Sequence, residues 1–127
     1  MQGEAYHIAV DPLREWVDIK LIGLWDHDTI RRFEADLRRD LTRLPAIGRQ
    51  RTLFDLSDFI VQVPEVAAGF ARLAADPGIA SRRIAVIGPA PLLRMQARRV
   101  APGYGFFGDR AEAVQWLNAA DADDAPR

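Results

Sequence analysis

Cysteine is absent from this chain of 127 residues, and lysine nearly so, because Lys20 stands alone against sixteen arginines. Without cysteine there is no disulfide, no thiolate nucleophile and no thiolate metal ligand. Histidine is scarce too, with only His7 and His27. No uncharged run approaches the roughly 20 residues that a membrane-spanning helix needs. The first residues, Met1-Gln-Gly-Glu-Ala-Tyr-His7, carry neither a basic leader nor an apolar stretch of the secretory kind, so a cytoplasmic location is expected. The formal net charge is −1, too small for bulk attraction to nucleic acid or an anionic membrane. Neither is expected as a partner, and no metal or cofactor is expected.

What is present patterns as one globular domain. Tyr6, Ile8 and Val10 alternate with His7 and Ala9 as in a half-buried strand, Asp11-Pro-Leu-Arg14 is turn chemistry, and Val17, Ile19 and Leu21 alternate again through Trp16–Leu24. The two strands should pair as an antiparallel hairpin. Asp26-His-Asp28 offers a helix cap, after which Ile30, Phe33, Leu37, Leu41 and Leu44 recur at steps of three and four until Pro45. A strand over Arg51–Phe59, a helix from Pro64 to about Ala75, a strand over Arg83–Gly88 and a helix over Pro89–Val100 follow. Phe106-Phe107 makes a short last strand, and Asp109-Arg-Ala-Glu112 is a capping box that opens a final helix with Val114 and Leu117 inward. The order β-β-α-β-α-β-α-β-α predicts an α/β fold, a single-domain mixed sheet that is mostly parallel with an antiparallel N-terminal hairpin. The domain is placed at 1–120 and a disordered acidic tail at 121–127.

In their order and spacing, Leu53-Phe-Asp-Leu-Ser-Asp-Phe59, Arg83-Ile-Ala-Val-Ile-Gly88 and Phe107-Gly-Asp-Arg-Ala-Glu-Ala-Val-Gln-Trp-Leu117 resemble the SpoIIAA-like branch of the STAS (STAS/SEC14-like) domain family. The resemblance runs over nearly the whole chain. It implies a regulatory or protein-interaction module that binds partners rather than turning over a substrate. In the family's antagonists a phosphorylatable serine lies beyond the third strand, at the start of the next helix, where phosphate blocks docking. That place falls here on Val63-Pro-Glu-Val66, which has no hydroxyl. The SEC14-like side of the family implies lipid transfer, but this chain lacks the length for an additional helical lobe.

The carboxyl end of the third strand is where an open α/β sheet places its ligand or regulatory site. Asp55, Ser57 and Asp58 there are polar and read as caps of loop N–H groups, while Phe59-Ile-Val-Gln-Val63 puts four apolar residues into a loop that turn chemistry would make polar. That segment either folds back over the sheet edge or is exposed as a partner surface. Ser57, Asp58, Phe59, Val61 and Val63 are the partner-binding candidates, for a protein partner or a second copy of the chain. An apolar small ligand held between helices and sheet is the alternative, and Trp25 at a strand end is a candidate for lining its pocket. A hydrolase built on Ser57 is the third reading, yet neither histidine belongs to a triad pattern and no Gly-x-Ser-x-Gly elbow is present. Asp26-His-Asp28 has metal-capable side chains, but adjacent residues do not converge on one ion. Arg94, Arg98 and Arg99, with Arg82 and Arg83 nearby in sequence, read as a solvated helix face, with an anion site as the alternative.

Overall fold

A computed structural model describes residues 5–123. Its elements run β1 (Tyr6–Asp11), β2 (Trp16–Gly23), α1 (His27–Leu41), β3 (Arg51–Phe59), α2 (Pro64–Ala74), β4 (Arg83–Ile87), α3 (Pro91–Val100), β5 (Gly105–Phe107) and α4 (Arg110–Asp123). The five strands lie side by side in sequence order, with β1 antiparallel to β2 and every later pair parallel. The α/β architecture and the antiparallel hairpin agree with the sequence reading. Of the expected tail over 121–127, residues 124–127 lie outside the described residues, and α4 runs through Asp123.

A strand order that advances in one direction through right-handed crossovers returns each helix to the same face of the sheet. Buried residues of α1, α2 and α3 accordingly join those of β1–β4 in one core, while α4 lies across the other face against Trp16, Leu53, Ala85 and Ile87. On the same face β2 presents Asp18, which pairs with Arg110 at the start of α4 at 2.5 Å, and Lys20, which pairs with Asp58.

Two capping residues are where the sequence places them. Asp26 accepts from the Thr29 backbone N–H at 2.8 Å, and Asp109 accepts from the Glu112 N–H at 2.8 Å. The bonds from Thr29 hold the Asp26 carboxyl below its usual range. α3 starts two residues later than the pattern suggests, at Pro91 rather than Pro89. The residue before a proline is pushed out of the helical region, and Ala90 is extended with φ −62° and ψ 158°.

Five rings form the centre of the larger core. Trp25 touches Tyr6, Phe33, Phe59 and Phe70 with centroids 5.2–5.7 Å apart, the spacing at which edge-to-face and tilted pairs add to simple burial. The Tyr6 hydroxyl donates to Asp36 on α1, and burial together with that bond pushes it up to about 12. Trp25, expected as a possible pocket wall, is instead this core's hub. Phe33 is almost fully buried among these rings. Phe33→Ala should cost about 3–5 kcal/mol, read as a lower urea midpoint at an unchanged slope; a loss below about 1 kcal/mol would mean the cluster is not the rigid centre described.

Candidate functional site

The site is built at the carboxyl end of the parallel strands, and a bulge shapes it. Lys20 pairs with Asp55 and Ile22 with Asp58, so β3 spends three residues where β2 spends two. An inserted residue breaks the in–out alternation. Leu56 points inward, Ser57 and Asp58 both point out, and Phe59 returns to the core. Ser57 is held locally: Asp55 Oδ1 accepts from its backbone N–H at 2.9 Å and from its hydroxyl at 2.5 Å. Asp58 pairs with Lys20 at 2.9 Å in an exposed ion pair, of a kind that adds little stability. Just beside them Gly88 at the end of β4 has φ +76°, and a Cβ there would lie 2.9 Å from Ser57 Cβ, so the approach of the two strand ends requires glycine.

The loop after β3 is organised by one side chain, Gln62, which is 5% exposed. Its Oε1 accepts from the Trp25 N–H at 2.8 Å, and its Nε2 donates to the carbonyls of Gly23 at 2.9 Å and Ile60 at 2.6 Å. The Gln62 backbone is gripped in turn by Gln96 of α3. Gln96 Oε1 accepts from Gln62 N at 2.8 Å and Gln96 Nε2 donates to Gln62 O at 2.9 Å. Every polar atom of the Gln62 amide is thus used, as a buried amide requires.

This clamp settles which residues of the loop face outward. Phe59 is 6% exposed and lies against Trp25 and Phe70; it moves from the expected partner surface to the core, because the bulge reverses its direction. Ile60, Val61 and Val63 stay exposed. Leu24 lies next to them, since Gly23 pairs with Phe59 at the strand ends, and the Gln62–Gln96 bonds bring up the first turns of α3 with Leu92 and Met95. Leu24 is 61% and Leu92 69% exposed. Together they form an apolar crest whose contributions from Leu24, Leu92 and Met95 the local pattern did not single out. An exposed leucine preceding an i+4 glutamine on a helix is a signal too common to have found them.

Inside the clamp lies a cavity of about 320 Å³ between the sheet and the pair α2 and α3. Val17, Ile19, Phe54 and Val86 form its floor, and Ala67, Phe70, Ala74, Leu93 and Ala97 part of its roof. Small side chains on the facing helices leave the space unfilled, and Leu93 is the one fully buried residue of α3. Of the α3 arginines, Arg94 and Arg98 lie against the ring of Phe106, 5.7 and 5.4 Å from its centroid. Among the described residues no group of three or more metal-capable side chains forms, and no helix is long and apolar enough to cross a membrane.

Removing the Gln62 amide strands three backbone groups, whereas removing that of Gln96 exposes its partners to water. Gln62→Ala should therefore cost about 2–3 kcal/mol and Gln96→Ala about 1 kcal/mol, measured by urea denaturation. Equal costs would contradict the assignment of Gln62 as the clamp.

No family model matches the sequence, and no curated protein matches it. Solved structures do. An uncharacterised protein of the DUF3478 family with a SpoIIAA-like fold, from Shewanella loihica, is similar over 92% of this chain and 97% of its own, with TM-score 0.69 at 20% identity. A serine-to-glutamate variant of RsbS from Moorella thermoacetica matches over 91% and 97% with TM-score 0.64 at 15% identity. The anti-sigma factor antagonist SpoIIAA in its unphosphorylated form matches over 90% and 98% with TM-score 0.57 at 17% identity. Element order, sheet topology and these three likenesses agree: the chain has the SpoIIAA-like, STAS-type fold.

Proposed function

We propose that this chain is a non-enzymatic regulatory module that docks a protein partner on the crest formed by Leu24, Ile60, Val61, Val63, Leu92 and Met95. The observation that carries the reading is the crest itself: six apolar side chains, each more than a third exposed, on a rigid clamp at the functional edge of the sheet. Monomeric proteins seldom leave such a cluster uncovered without use. Ser57 and Asp58 form the polar flank of the surface. The relative by fold that is an anti-sigma factor antagonist supports a role in protein association. The first turn of α2 reads Pro64-Glu65-Val66 after Val63, so docking here proceeds without a serine switch at that place. The Ser57 hydroxyl donates to Asp55, and it is Asp55 rather than Ser57 that caps a backbone N–H there.

The cavity favours a second reading, in which the protein also holds a small apolar ligand. Its volume sits at the lower end of the roughly 300–1,000 Å³ of small-molecule sites, and its walls are mainly apolar, as such sites are.

A second copy is the first partner to test. Size-exclusion chromatography with light scattering should give twice the 14.2 kDa chain mass for the wild type and the single mass for a Val61→Asp/Leu92→Asp variant. Monomers in both cases contradict self-association. For a different protein, cross-linking that finds a partner for the wild type should lose it with the same variant, and a partner that is retained contradicts docking on the crest.

A further inference from the structure

The cavity under α2 and α3 has two unlike ends. At the crest end, the side-chain amide of Gln62 is spent on the backbone of Gly23, Trp25 and Ile60, and that of Gln96 on the backbone of Gln62. At the far end stand Thr52, Ser81 and Tyr104. The hydroxyls of Thr52 and Ser81 are 2.6 Å apart, and their bond consumes one of the two hydroxyl protons. Tyr104 stacks on Phe54 with centroids 6.4 Å apart and planes 12° from parallel. No hydrogen bond from its hydroxyl is present among the described residues.

The charge at that end is equally one-sided. Arg82 and Arg83 are the charged residues on the wall. The Arg83 guanidinium lies 3.7 Å from the centre of the Trp116 ring, which packs with Phe107 in the cluster under α4, and Arg82 is exposed. An apolar chamber therefore ends in hydroxyl donors, with the half-buried Arg83 drawn onto Trp116 and Arg82 exposed. Burial alone pushes Tyr104 up to about 12, so it remains a protonated donor throughout the neutral range.

We propose that the cavity binds an uncharged apolar molecule carrying one hydrogen-bond-accepting oxygen, with Tyr104 donating to that oxygen and the chain lying between α2 and α3. The proposal rests on the second reading above and specifies its ligand. At the roughly 30 Å³ that a water-sized group occupies in a liquid, the volume holds about ten heavy atoms. A medium-chain ketone, ester or alcohol has that size. A carboxylate would lose its hydration, while the Arg83 guanidinium is held on the Trp116 ring and Arg82 is exposed.

Three probes of ten heavy atoms separate the possibilities: 2-nonanone has the acceptor, butylbenzene lacks it, and octanoate carries it as an anion. Binding is followed by amide chemical shifts of Val86, Leu93 and Ala97 in the full chain and in Tyr104→Phe, which keeps the stacked ring. The wild type should bind 2-nonanone more tightly than either other probe. Tyr104→Phe should weaken 2-nonanone about five- to tenfold, the worth of one hydrogen bond, and leave butylbenzene unchanged. Undiminished 2-nonanone binding by Tyr104→Phe overturns the role of Tyr104 while the ligand-binding reading stands. Tighter binding of octanoate overturns the uncharged class. No shift at these residues with any probe overturns both this proposal and the reading on which it rests.

Discussion

The amide of Gln62 is the interaction on which the rest of the site depends. It is buried in an apolar loop, where an unmade hydrogen bond costs more than a made one gains, so the backbone must come to it. The ends of β2 and β3 do so through Gly23 and Ile60, and Trp25 does so through its N–H. Fixing that N–H places the indole among four other rings. Gln96 then ties α3 to the same loop, which leaves α3 standing over the sheet with one fully buried side chain and a chamber beneath it. The exposed crest and the half-open cavity are two sides of a single clamp.

Topology explains why the clamp sits where it does. Three helices share one face of a five-stranded sheet, and the loops that lead into them leave the carboxyl ends of β2, β3 and β4. That edge is where open α/β sheets collect their ligand and partner contacts. The other face is covered by α4 alone, and it closes against Trp16, Leu53, Ala85 and Ile87 without adding anything to the crest. The exposed crest and the cavity thus share the same loop and helix.

Much of the fold is legible in local pattern, because alternation, three-and-four periodicity and caps such as Asp26 and Asp109 are short-range effects. Element order follows, and with it the parallel sheet and the antiparallel hairpin. The parts that local pattern misses have non-local causes. Phe59 points inward because β3 carries one residue more than β2 between two pairing positions, a fact about two strands rather than one. Pro89 and Pro91 are equally good helix starts until the restriction that Pro91 places on Ala90 is weighed. Gln62 reads as the one polar member of an apolar loop, and all its partners but Ile60 lie 34 to 39 residues away. The cavity depends on how far α3 stands from the sheet, which Ala67, Ala74 and Ala97 permit but do not announce.

The central claim, that Gln62 locks the loop to the sheet and to α3, is tested most directly by native-state hydrogen exchange at two backbone amides. If the clamp holds as described, the Trp25 and Gln62 amides exchange only through global unfolding, as slowly as core strand amides such as Phe54. Exchange at the rate of open loop amides, with the β3 core still protected, would contradict it.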